Sequence, residues 1–291
     1  MKYIEKGGKV MRNRRSLCLG LAAMMLSQLM TFLGSVPVSA GAFENEVYED
    51  LAVDESGNIY VVGHTGSYGD SMWTGEDMVV CKYGPNGNVV WRKTWGNNNI
   101  YAPNDDKGFG IAIDENNIYL VGYTNGITQG GYDIIIWKYD LNGNQIIDED
   151  EDQNPEWPIK TGGSNDDFGL DIAIDDDYIY IIGSSYSFNE RGDSDIVIYK
   201  FDKYGTFNWR VVWDSNGILK QDFGMSIAAA NSMLYIIGYS NGRTNNPIWG
   251  YDVLILGYSK GGNLLWTKWE AGGGNDYGYE ITTDGSYAYA T

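Results

Sequence analysis

Short apolar runs bounded by turn residues recur along this chain at nearly constant intervals. Ile59–Thr65 (IYVVGHT) returns as IYLVGYT at 118–124, IYIIGSS at 179–185 and LYIIGYS at 234–240. Their glycines, Gly63, Gly122, Gly183 and Gly238, are spaced 59, 61 and 55 residues apart. A second run follows each: DMVVCKY from Asp77, DIIIWKY from Asp133, DIVIYKF from Asp195 and DVLILGY from Asp252. Upstream stand LAVD, IAID, IAID and SIAAA, the last three introduced by DKGFG, DDFGL and QDFGM. A fourth run closes the unit on Trp91, Trp209 or Trp266 after a turn such as PNGN or KGGN. No segment carries the three-and-four spacing of an amphipathic helix, so each unit predicts four short strands separated by tight turns.

Four strands per unit in tandem is the pattern of propeller blades. The prediction is an all-β chain, a β-propeller of four-stranded antiparallel blades. Units fall at about 43–100, 101–163, 164–217 and 218–274, with a partial fifth at 275–291, so the ring they make is incomplete. The consensus DxGxxIAxD, IYVVGxT, DxVVxKY, NGNxxW resembles the seven-bladed β-propeller repeat (SBBP-type) family of exported prokaryotic proteins. That resemblance implies a radial array of sheets within a larger secreted or cell-surface protein, and further blades or domains beyond Thr291.

Residues 1–40 differ from the rest. The basic MRNRR (11–15) precedes the apolar run Leu17–Val36 and the small residues Val38-Ser39-Ala40. This reads as a signal peptide cut after Ala40, with an uncleaved membrane anchor as the competing reading; after cleavage no membrane contact is expected. Of 20 basic and 39 acidic residues, six and one lie in those first 40, leaving a net charge of −24 on 41–291. Such a surface repels nucleic acid and favours cations. Cys18 belongs to the leader, so Cys81 stands alone, and at 43% hydrophobic the chain relies on its core.

The repeated glycines read as sites of close packing at strand ends, and the repeated aspartates at the third strand as hydrogen-bond acceptors for nearby amides. Trp91, Trp157, Trp209 and Trp266 read as wedges between blades. Asp140-Leu141-Asn142-Gly143 partly resembles the tryptophan-docking motif of quinone-dependent dehydrogenases, but the fuller motif is missing. His64 aligns with Tyr123, Ser184 and Tyr239 and reads as a loop filler; Cys81 aligns with Trp137, Tyr199 and Leu256 and reads as a core thiol. No catalytic set emerges. The variable loops between second and third strands carry Trp73, Tyr132, Phe188 and Trp249, aromatics suited to contact with a protein or polysaccharide ligand. The stretch DLNGNQIIDEDEDQNPEW is a repeat turn plus an acidic insertion. As a calcium loop it would use Asp140, Asn142, Asn144, Asp148 and Glu151, with Gln145 where the glycine should stand.

The reading is a non-catalytic binding or structural module, with a propeller enzyme, carbohydrate-active or quinone-dependent, as its alternative. The feature that separates them is a set of unique, non-repeating polar residues converging on the central channel.

Overall fold

The computed structural model describes residues 46–66, 75–96, 105–125, 131–147, 157–189, 191–215, 220–242 and 250–291. Trp73, Trp249, Asp148, Glu151 and the whole leader lie outside them. Every element among the described residues is a β-strand. The first sheet holds β1 (Glu46–Val53), β2 (Ile59–Gly66), β3 (Glu76–Tyr83) and β4 (Val89–Trp95). The second holds β5 (Asp106–Ile113), β6 (Asn117–Thr124), β7 (Asp133–Asp140) and β8 (Ile159–Thr161). The third holds β9 (Asp167–Ile174), β10 (Tyr178–Ser185), β11 (Asp195–Asp202) and β12 (Phe207–Trp213). The fourth holds β13 (Asp222–Ala230), β14 (Met233–Ser240), β15 (Asp252–Ser259) and β16 (Leu264–Glu270), and β17 (Ile281–Thr283) pairs with β18 (Ala288–Ala290). All pairings are antiparallel between chain neighbours. The sheets pack in chain order, β1 beside β5, β5 beside β9, β9 beside β13 and β13 beside β17. They form a row of propeller blades that does not close into a ring.

The sequence explains this order. Second and third strands are apolar almost throughout because both faces are covered, and they supply most of the core. Fourth strands, such as β4 and β16, sit at the outer rim and stay largely exposed. Each gap between sheets is filled by its own cluster: Tyr60, Val62, Leu120 and Trp137 in the first, Tyr119, Val121, Ile181 and Tyr199 in the second, Tyr180, Ile182, Leu254 and Leu256 in the third.

Each innermost strand is broken by a bulge, between Tyr48 and Asp50, Gly108 and Gly110, and Gly224 and Ser226, and opposite Ile182 and Gly183 in the third sheet. The bulge presses a carbonyl onto the second strand where the repeated glycine stands. A Cβ on Gly63, Gly122, Gly183 or Gly238 would lie 1.8, 1.7, 2.0 or 1.9 Å from the carbonyl oxygen of Val47, Lys107, Phe168 or Phe223. The expected close packing is there.

Trp91 lies on Gly143 of the next sheet's hairpin and donates its indole N–H to the Leu141 carbonyl (3.2 Å). Trp157 is buried against Tyr119, and Trp209 covers Gly262. These three are the wedges the repeat predicts. Trp266 departs from them: it rests on Gly257 of its own sheet, 39% exposed, with no following hairpin over it among the described residues.

Candidate functional site

At the end of the sheets where the innermost strands begin, three positions meet at each junction between a four-stranded sheet and the next one. One is the end of the second strand, one the residue before the third-strand aspartate, and one the residue after the first aspartate of the next sheet. A repeated frame of hydrogen bonds holds them. Asp105, Asp166, Gln221 and Asn275 accept the backbone N–H of Glu76, Tyr132, Ser194 and Tyr251 at 3.0 to 3.3 Å. In return the N–H of Asp167, Asp222 and Asp276 reaches the carbonyl of Tyr132, Ser194 and Tyr251. These side chains are amides and carboxylates because each must accept a main-chain hydrogen bond across a sheet boundary.

The frame repeats, but what it carries does not. At the second junction the three positions are Tyr123, Tyr132 and Phe168, with Tyr123 edge-on to both neighbours at 5.0 Å. At the fourth they are Tyr239, Tyr251 and Tyr277, packed alike at 5.3 and 4.9 Å. At the third they are Ser184, Ser194 and Phe223. At the first they are His64, Glu76 and Lys107, three charged or titratable groups where other junctions hold rings and hydroxyls. The bulge residue beside them is Glu49, where the other sheets have Phe109, Leu170, Met225 and Tyr279.

These four side chains converge. The buried His64 imidazole lies with Nδ1 3.8 Å from Glu49 Oε1 and Nε2 3.7 Å from Glu76 Oε1. The other Glu76 oxygen pairs with Lys107 Nζ. Burial lowers the pKa of His64, and Lys107 adds to that, against the upward pull of Glu76 and Glu49. The ring is therefore neutral at physiological pH, set between two carboxylates. Phe109 lies 6.3 Å from it and stacks on Tyr123 at 5.3 Å, so an aromatic wall runs from the charged group to Tyr132 and Phe168. Asp105 joins the two junctions, accepting from Glu76 N–H and from the Tyr132 hydroxyl (3.1 Å). Burial and the charges of Asp105, Glu76 and Glu49 push the Tyr123 phenol up to about 12. Acids next to a flat aromatic wall can act on, or hold, a polyhydroxylated ring.

The residues singled out from sequence scatter. Tyr132 belongs to this wall. Phe188 is elsewhere, partly buried on the second-junction core with the Arg210 guanidinium 3.7 Å above its ring. Asp140, Asn142 and Asn144 form a hairpin turn in which Asp140 accepts from Asn142 N–H, Asn144 N–H and the Asn144 side chain, each at 2.8 Å. Asp54 does the same work in the first sheet. His64 is no loop filler: it sits in β2, 7% exposed. Cys81 is buried beside Val61, Val79 and Tyr83, as its column predicts.

Residues 47–69 match the SBBP family, described as a beta-propeller repeat. The repeat is a β-propeller repeat. No curated protein matches the chain significantly. Among solved structures, the α-L-arabinanase of Penicillium chrysogenum complexed with arabinobiose aligns over 84% of this chain and 73% of its own, at 10% identity and TM-score 0.54. A thermostable family-43 glycoside hydrolase aligns over 86% and 85% at 13% identity and TM-score 0.43. The Synechocystis apocarotenoid oxygenase aligns over 84% and 55% at 11% identity and TM-score 0.45. The first likeness establishes a shared fold. The expectation of a non-catalytic binding or structural module is corrected here: a solved structure that shares the fold is named as an enzyme, an α-L-arabinanase.

Proposed function

We propose that the chain is a carbohydrate-active propeller that hydrolyses glycosidic bonds at its first junction. It works outside the cell, where the leader at 1–40 would deliver it. The observation that carries this is the convergence of Glu49, His64, Glu76 and Lys107 at positions that hold apolar, aromatic or hydroxyl residues in the other sheets. Glycoside hydrolysis needs two carboxyl groups in different settings, one to protonate the leaving oxygen and one to activate water or attack the sugar. Glu76 has an ammonium partner, and among the described residues Glu49 has none, an asymmetry that suits Glu76 to the base and Glu49 to the acid. His64 holds the two apart, and the wall of Phe109, Tyr123 and Tyr132 offers a sugar a stacking surface.

Reducing-sugar release from a polysaccharide panel led by arabinan, the substrate class of the P. chrysogenum relative's name, tests this. Glu49→Gln and Glu76→Gln should each lower kcat by roughly 100-fold or more, the usual scale of a lost acid or base. Their melting temperatures should stay near that of the wild type. Variants as active as the parent, or a parent that cleaves no member of the panel, would refute the assignment.

A further inference from the structure

The third junction departs from its siblings in a second way. In the second, third and fourth sheets the second residue after the outer strand donates its N–H to the first aspartate that follows: Gly163 to Asp167 (2.7 Å), Ser215 to Asp222 (2.8 Å), Gly272 to Asp276 (2.5 Å). The residue just after the outer strand is Gly96 at the first junction, Gly162 at the second and Ala271 at the fourth. There is no slack at the glycines. A Cβ on Gly162 would lie 2.2 Å from Asp133 Oδ1 and 2.8 Å from Asp167 Oδ2, and one on Gly96 would lie 1.9 Å from Asp77 Oδ1. At the third junction the same position is Asp214, a third carboxylate beside two buried ones. Asp195, Asp214 and Asp222 bring one oxygen each within 4.8 Å of one another.

Like charges so close repel, and burial removes the water that would screen them. Asp195 is 1% exposed and Asp222 fully buried. Each keeps one oxygen hydrogen-bonded, Asp195 Oδ2 by the Asn189 side chain (2.5 Å) and Asp222 Oδ2 by Ser215 N–H. The other, Oδ1, has no hydrogen-bond partner in either case, and Oδ1 of neighbouring Asp193 is in the same condition. Buried polar atoms without partners are rare in folded proteins and call for a proton, a water or an ion. The cations nearby are few: Arg191 pairs with Asp214, while Lys220 turns its ammonium to the Asn241 carbonyl.

We propose that Asp195, Asp214 and Asp222 form a binding site for a hard divalent cation, calcium by ligand type, that ties the third sheet to the fourth. All three donors are carboxylate oxygens, which suit calcium, magnesium or manganese and not zinc or copper. Each comes from a different segment, so the ion clamps β11, the stretch just after β12, and β13 together. The site stands apart from Glu49 and Glu76, and either assignment can fail without the other.

The test is calorimetric titration of the calcium-stripped chain with calcium, alongside melting curves with and without about 10 mM calcium, above the usual range for extracellular modules. The comparison variants are Asp214→Gly, which restores the residue found at the first two junctions, and Asp148→Asn/Asp150→Asn in the acidic insertion. Calcium should raise the parent's melting temperature by roughly 3–10 °C. Asp214→Gly should lose that rise together with one equivalent of bound ion, while the insertion variant keeps both. An identical calcium response in the parent and Asp214→Gly, or none in the parent, overturns the site. So does a loss confined to the insertion variant, which would place the ion there. If the carboxylates instead share a proton, Asp195→Asn would be more stable than the parent at neutral pH and neither chain would respond to calcium, which also overturns it.

Discussion

A single hydrogen atom decides the repeated glycine. The bulge in each innermost strand turns a carbonyl onto the neighbouring strand, and only a residue without Cβ admits it. Gly122→Ala would set a methyl carbon 1.7 Å from the Lys107 carbonyl oxygen, a backbone atom that cannot swing away. The expected cost is about 3 kcal/mol, at the upper end for overpacking. Urea unfolding would show it as a fall in midpoint with an unchanged slope. Lys107 itself belongs to the charged group at the first junction, so the same substitution should also disturb that group.

Strands are joined across sheets by a second set of latches, at the end opposite the candidate site. Third-strand lysines reach the next sheet's hairpin: Lys82 donates to the Leu141 carbonyl, Lys138 to that of Lys203 and Lys200 to that of Lys260. Two hairpins answer with a charge of their own, Lys203 to Asp114 (2.8 Å) and Lys260 to Asp175 (2.7 Å). Burial works against ionisation of Asp114, but the Lys203 ammonium and the amides of Asn116 and Asn117 outweigh it and hold the carboxyl below its usual range. A depressed folded pKa means the stabilisation is present above about pH 4 and is lost as pH falls through the folded value. Lys203→Met should therefore cost about 1–2 kcal/mol at pH 7, between the values for exposed and buried pairs. Its cost should shrink as pH is lowered below 4, and urea midpoints taken across that range would check the fall.

Across the whole molecule, protection should run radially. Second strands are covered on both faces while rim strands such as β16 are exposed, so amide exchange should be slowest in β6 and β10 and fastest in β16. Exchange as slow in β16 as in β6 would contradict that order. Most of this architecture was legible in the chain, because apolar runs and turn residues repeat with the period of the sheets. The candidate site was half legible. The column of His64, Tyr123, Ser184 and Tyr239 was plain, but its variability read as tolerance. It becomes meaningful only beside the columns of Glu76 and Lys107, which lie in a different strand and a different repeat. Sheet packing brings the three columns together, and no spacing within one repeat reports it. The turn at Asp140 reads in sequence as a repeat turn, and its carboxylate does accept the amides of its own hairpin, while Asp148 and Glu151 of the calcium-loop reading lie outside the described residues.

The separation between a constant frame and three variable positions has a consequence for how such chains diversify. Duplicating a repeat copies the frame, with its carbonyl, amide and carboxylate partners, and delivers three positions that already meet at one junction. Histidine, glutamate and lysine can settle in one set while tyrosines keep the next one closed. A new chemistry therefore asks for a handful of point changes at one seam and leaves every other seam untouched.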